Sequence, residues 1–241
     1  MRKDKKTKPS SEANSNDELS QLWPGQSVEL LKSLNILTRE GRLNQDSRRK
    51  LKQVQHLVQL ITPHLDGLTN IADLGAGKSY LGFMLYDLWL RERPETRLWA
   101  VEQRNELIDK CRSIAAKSSF DRITFVSESI VGASEPMDPN KPHRLPDTIE
   151  AVTALHACDT ATDEAIAFAL KKNAKFIALV PCCQAEVARE LDKVPHSEND
   201  SLYRHGIHRR EFGSHLTNVI RSLFLESRGY KVRVTELIGW E

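Results

Sequence analysis

The stretch that most constrains this chain is Ile71 to Leu81, IADLGAGKSYL: an apolar run, an acid, two glycines one residue apart, then residues that open an amphipathic helix. That order predicts strand, tight turn and helix. Gly75 and Gly77 let the backbone turn sharply and approach a ligand that a Cβ would hold off. The helix N-terminus behind the turn offers unpaired N–H groups and a partial positive charge. Together these features describe a nucleotide-type cofactor site.

The flanking residues discriminate among cofactors. A phosphate-cradling loop requires G-x-x-x-x-G-K-[ST]. Gly77, Lys78 and Ser79 supply its end, but Ala72 stands where its first glycine belongs, and Asp73 would set a carboxylate beside the phosphates. A dinucleotide fingerprint requires a third glycine for close helix–strand packing, and the bulky Tyr80 stands there. What remains, Asp73-Leu74-Gly75-Ala76-Gly77, resembles motif I of the class I S-adenosylmethionine (SAM) methyltransferases. SAM has no pyrophosphate, so the third glycine is dispensable, and its ammonium and sulfonium charges suit a nearby carboxylate. Under that resemblance Asp73, Gly75, Gly77 and Tyr80 are expected at the cofactor.

A ribose-binding acid is expected at the end of the second strand, about 20 residues beyond the glycines. Arg97 to Glu102 is a strand-like run that ends in an acid there, and a carboxylate can accept from both ribose hydroxyls. The rest of the core alternates strand and helix: strand Asn70 to Leu74, helix Lys78 to Arg91, strand to Glu102, helix Asn105 to Lys117, strand Arg122 to Val126. Such alternation predicts an α/β fold with a Rossmann-like parallel sheet, helices on both faces, and ligands outside the carboxyl ends of the strands. By that geometry Glu128 or Ser129 would lie near the adenine, with Ile130 on its face. Gly132 to Thr148 holds four prolines and reads as a surface loop.

Ile149 to Leu155 is the expected fourth strand, running into His156-Ala157-Cys158-Asp159. Thr160 to Asp163 has the form of a capping box opening an Ala-rich helix to Lys171. Lys175 to Val180 is the expected fifth strand, ending in Pro181-Cys182-Cys183-Gln184. Two strand ends thus deliver reactive side chains to one rim. Phe212 to Arg228 reads as a helix with Leu216, Val219, Ile220 and Leu223 on one face, and Lys231 to Leu237 as a sixth strand.

The sequence of motifs, D-x-G-x-G-K-x-Y-L, then L-H-A-C, then P-C-C, is similar to the methyltransferase-like protein 25 branch of the class I methyltransferases over roughly Leu51 to Gly239. Asp159 departs from it, standing where many relatives carry a glycine. The resemblance implies a last, antiparallel strand for which no residues remain here: either the polypeptide is truncated or the sheet is one strand short, with an exposed edge.

Ahead of the core, residues 1–25 are rich in Lys, Ser, Asn and Asp and are expected to form a disordered basic and polar tail, with Arg2, Lys3, Lys5, Lys6 and Lys8 able to meet RNA phosphates. Residues 26–66 are expected to form an N-terminal helical cap, and residues 67–241 the SAM-binding core. Val28, Leu30, Leu31 and Leu34 mark a short amphipathic helix. Leu51, Val54, Leu57, Val58, Leu60 and Ile61 mark a longer one, capped by Asp46 or Ser47, with Arg48, Arg49, Lys50 and Lys52 on its wet side. A formal charge of +2 names neither nucleic acid nor membrane as partner, so any basic surface must be local. No apolar run is long enough to span a bilayer. Four cysteines without a framework spacing fit a reduced, cytoplasmic protein.

The acceptor is expected to be RNA or a protein side chain. A basic, His-rich segment from Leu191 to His215, holding His196, Tyr203, Arg204, His205, His208, Arg209, Arg210 and His215, suits an anionic or polar substrate such as RNA. A SAM-binding adaptor without catalysis is the competing class. His156 or Asp159 would orient the acceptor; His156 would either serve also as a base or line the cofactor pocket without proton chemistry. Cys158 with Cys182 or Cys183 holds the topological places used by thiolate-activating enzymes, without their local words. A zinc site from His156, Cys158, Cys182 and Cys183 is chemically open, but paired C-x-x-C spacing is absent and no metal is expected.

Overall fold

A computed structural model describes residues 22–135, 145–194 and 200–237. The expectations for the N-terminal basic run and for His196 lie outside the described residues. Five strands form one parallel sheet: β1 (Asn70–Leu74), β2 (Arg97–Glu102), β3 (Ile123–Ser127), β4 (Ala151–Leu155) and β5 (Phe176–Val180). Their order is β3-β2-β1-β4-β5, so the topology reverses beside β1. Ligands of such sheets gather at that crevice, outside the carboxyl ends of the strands.

Burial on both faces explains why β1, β2 and β4 read as apolar runs rather than alternating ones. One layer packs α1 (Val28–Ser33), α2 (Gln45–Ile61), α3 (Tyr80–Leu88) and α4 (Asn105–Lys117) around Phe83, Leu85, Leu98 and Phe125. The other packs α5 (Ile130–Ser134) and α6 (Thr160–Lys171) around Leu74, Val101, Val152 and Phe168. The sheet is a Rossmann-like α/β fold. Among the described residues, no helix is long and apolar enough to cross a membrane.

The N-terminal helices share the first of these cores. Leu51, Val54, Leu57, Val58 and Ile61 are buried against the α3 side chains, and Gln26 bridges the two helices, accepting from Gln55 and donating to the Met84 sulfur. The cap of α2 is Asn44, whose Oδ1 accepts from the Ser47 N–H at 2.7 Å, and neither Asp46 nor Ser47.

Three further expectations are corrected. Lys231 to Leu237 forms no strand: Val232 and Val234 have one parity and Leu237 the other, so no period-2 face exists, and Val234 is 80% exposed. The capping box does not form either, because α6 already begins at Thr160. Its preceding residue is Asp159, and Asp163 instead pairs with Arg221. Finally, α8 (Gly206–Ser227) starts earlier than expected, and its apolar stripe is not the packed face. Val219, Ile220 and Leu223 are exposed, while Gly213 lies flush against Ala188 of α7 (Glu186–Leu191) and Arg221 is buried.

Candidate functional site

Strand β1 ends in the turn that the glycines make. Gly75 and Gly77 have φ of +63° and +58°, a region costly to residues with a Cβ. Ser79 shares that conformation at φ +52°, which delays the start of α3 to Tyr80. The Ala76 N–H bonds to the Val101 carbonyl, and the Gly77 N–H to Glu102 Oε2 at 2.9 Å, so the turn is stitched onto the end of β2. The close packing that a third glycine would give comes instead from Gly82, where a Cβ would stand 2.5 Å from Ser79 Oγ. Ser79 Oγ is buried without a hydrogen-bond partner.

A cleft of about 200 Å³ opens over this turn, lined in part by Asp73, Gly77, Lys78, Tyr80, Arg104 and His156. Asp73 is 2% exposed at its floor, and Thr153 of β4 donates to its Oδ1 at 3.0 Å. Burial pushes its carboxyl up to about 7, against smaller lowering effects of the Thr153 hydroxyl and the Gly82 N–H. Among the described residues, no cationic side chain is among its partners. A buried carboxylate held near neutrality is complementary to an ammonium and hostile to phosphate.

Glu102 ends β2. Burial pushes its carboxyl up, but hydrogen bonds from the Arg104 side chain and backbone and from the Gly77 N–H outweigh this and hold it below the usual carboxylate range. Arg104 Nε donates to Oε1 at 2.9 Å and Nη2 to Oε2 at 3.2 Å. Tyr80 stands on the cleft wall with the Lys50 ammonium 4.7 Å above its ring, so the basic side of α2 reaches the mouth.

His156 follows β4 at the mouth with φ +62°. Burial of the ring against the cleft wall, then the Lys50 charge, lowers its pKa below the ordinary histidine value. Beyond it the ends of β4 and β5 stay zipped: the His156 N–H bonds to the Val180 carbonyl at 3.1 Å and the Asp159 N–H to the Cys183 carbonyl at 2.8 Å. Asp159 has φ +53°, a conformation that favours glycine. Its carboxylate accepts from the N–H groups of Ala185 and Glu186 and pairs with Arg189 at 2.9 Å, which holds its pKa down, Arg189 first.

Between those two backbone bonds the thiols converge. Cys158 and Cys182 sulfurs are 2.7 Å apart and those of Cys182 and Cys183 3.5 Å. Burial, then the neighbouring thiols, raise the Cys158 pKa, and burial raises that of Cys182.

The structure therefore brings Asp73, Gly75, Gly77, Tyr80 and His156 to one cleft, with Glu102 bonded to its turn and Asp159, Cys182 and Cys183 on the adjoining rim. It sets the other three apart from the cleft lining. Ser129 caps α5 through Gly132 N, Glu128 Oε1 accepts from the Ser129 N–H, and Ile130 is buried in the second core. Sequence reasoning missed Arg104, Thr153 and Gly82, and placed Lys50 on the wet side of α2 without its reach to the cleft. Arg104 carried the clearest signal, a cation two residues beyond the acid that ends β2.

A family described as a methyltransferase domain matches residues 49–190, more than half of the chain. The chain belongs to that family. Its cofactor is S-adenosylmethionine, and the domain is a class I, SAM-dependent methyltransferase. No curated protein matches the sequence. Among solved structures, the SAH-bound methyltransferase PaMTH1 from Podospora anserina is 11% identical, with 93% of this chain and 90% of that one aligned and a TM-score of 0.49. A putative caffeoyl-CoA O-methyltransferase from Staphylococcus aureus is 11% identical over 83% and 85% of the two chains, TM-score 0.43. YcgJ from Bacillus subtilis is 15% identical over 49% of this chain, TM-score 0.36. The chain spans 46% of the length of YcgJ.

Proposed function

We propose that the chain methylates RNA. The observation that carries this reading is the basic side of α2 at the cleft mouth: Lys50 lies over Tyr80 and is felt by His156, with Arg49 and Lys52 on the same helix. Phosphate contacts of this kind position a strand without reading its sequence. The segment around His205, His208 and Arg210 adds further exposed polar and basic groups. The motifs L-H-A-C and P-C-C support a place on the methyltransferase-like protein 25 branch.

When bound, SAM supplies an electrophilic methyl on a sulfonium. Asp73 would balance the positive charge from the floor, and Glu102 would offer oxygens to the ribose hydroxyls. Transfer is a displacement, so positioning and exclusion of water dominate. His156 stands neutral at pH 7, since its pKa lies below the ordinary value, and one of its ring nitrogens can take a proton from the acceptor. The Asp159 carboxylate, engaged by Arg189 and two N–H groups, fixes the loop that carries His156 and Cys158.

The test is transfer of labelled methyl from SAM to total RNA and to total protein, each then digested with nuclease or protease. Label released by nuclease, and reduced when Lys50 and Lys52 are changed to Glu together, supports RNA. Label released only by protease makes a protein side chain the acceptor. No transfer by a chain that binds SAM makes it an adaptor.

A further inference from the structure

Three cysteines from two strand ends meet at one point on the surface. Free cysteines are ordinarily buried and behave as small apolar groups, but Cys182 and Cys183 are exposed and Cys158 is only half-buried. Core packing therefore does not explain the cluster. Its placement is built in: the backbone bonds at His156 and Asp159 bracket Cys158 and set it opposite Cys182. Both bracketing residues are left-handed, at φ +62° and +53°, and each costs about 1–2 kcal/mol of strain. Strain held between strand ends is typical of functional positions.

All three sulfurs lie within 4.8 Å of one another. Sulfurs bound tetrahedrally at about 2.3 Å from one ion stand roughly 3.8 Å apart. The 2.7 Å and 3.5 Å separations fall short of that spacing, so an ion would widen both, at two cysteines that are exposed. We propose that Cys158, Cys182 and Cys183 together bind one thiophilic divalent cation, zinc by the softness and geometry of its donors. Thiolate sulfur selects zinc over magnesium or calcium, which take oxygen.

Among the described residues no histidine or carboxylate joins the three sulfurs as a fourth ligand. The fourth position belongs to water or to an atom of the acceptor, a pattern that marks catalytic rather than structural zinc sites. The ion ties the ends of β4 and β5 together two residues from His156, on the rim of the cleft. Binding replaces each S–H bond by a sulfur–metal bond and releases the proton to solvent. This assignment departs from the sequence expectation because paired C-x-x-C words are the signature of zinc ribbons, whereas here the sheet supplies the proximity.

The test uses the full chain, reduced, stripped with a chelator and titrated with Co²⁺, followed by the sulfur-to-cobalt charge-transfer band. The band should saturate at one ion per chain and be displaced by Zn²⁺. Cys158→Ser, Cys182→Ser and Cys183→Ser should each weaken binding by at least the roughly 10–100-fold that loss of an outer-shell partner costs, whereas Cys111→Ser, in the core, leaves it unchanged. Circular dichroism of each variant shows whether it remains folded. The proposal is overturned if the fully reduced protein gives no band, if any one of the three serine variants binds as tightly as the parent, or if Cys111→Ser abolishes binding in a folded chain.

Discussion

The buried carboxylate of Asp73 makes SAM binding depend on pH in a calculable way. In the free protein it titrates at about 7, whereas unfolded it would ionise near 3.8. That difference corresponds to about 4 kcal/mol of unfavourable ionisation. The native state binds the proton more tightly, so free-protein stability falls as pH rises from about 4 to about 7 and is level above. A bound ammonium reverses this preference. Below pH 7 the site must give up a proton to hold it, so the SAM Kd should fall about tenfold for each pH unit from 5.5 to 7 and then flatten. Calorimetry in buffers of different ionisation enthalpy would also register the released proton. Asp73→Asn keeps the Thr153 hydrogen bond but has no charge. It should flatten the slope, weaken binding at pH 8, and raise the melting temperature of the free protein there. His156→Gln should retain the slope. As a further control, 5′-methylthioadenosine lacks the ammonium and should bind with no such slope. A flat wild-type profile, or an unaltered slope in Asp73→Asn, refutes the reasoning.

Other substitutions test the remaining parts of the site. Arg104→Ala removes the guanidinium from both Glu102 oxygens, leaving the two backbone N–H bonds in place, and should tighten SAM by up to about fivefold, the worth of an exposed ion pair; calorimetry reads it, and a tenfold loss would instead make Arg104 a cofactor contact. Lys50→Ala removes a charge that lowers the His156 pKa and should raise its titration midpoint toward that of an ordinary histidine, followed by ring resonances in NMR. Gly82→Ala forces a Cβ to within 2.5 Å of Ser79 Oγ and 3.2 Å of Leu98 Cδ2 and should cost about 1–3 kcal/mol in denaturant unfolding.

What the sequence made legible follows the period of burial. Strands β1 and β2 and helix α4 match their expected bounds, because each has an apolar pattern that the sheet buries as written. The helical stripe Leu216, Val219, Ile220 and Leu223 was equally periodic, yet much of it faces outward. Periodicity states that a face exists and not which neighbour covers it. In α8 the neighbour was chosen by Gly213, which admits α7, and by Arg221, which reaches Asp163 and the Asp159 carbonyl. Similarly, the motif spacing located Asp73, Gly75, Gly77 and Glu102 but could not see Lys50, which reaches the cleft across tertiary structure from α2.

The same limit explains the rim where the thiols meet. In sequence, Cys158 is separated from Cys182 by a whole helix and strand, so no local word joins them. In a parallel sheet, adjacent strands end on the same side, and β4 pairs with β5 in register from Ala151–Phe176 to Leu155–Val180. Residues at equal distances beyond the two ends are therefore brought together by the ladder itself. His156 N bonding to Val180 O and Asp159 N to Cys183 O extend that register past the sheet. Cys158 and Cys182 meet because each sits two or three residues beyond its paired strand end. A one-residue slip of β5 against β4 would turn every β5 side chain to the other face and separate the thiols. The sulfur cluster is thus a consequence of strand register, and the chemistry of this rim is set by β4–β5 pairing as firmly as that of the cleft is set by the glycine turn.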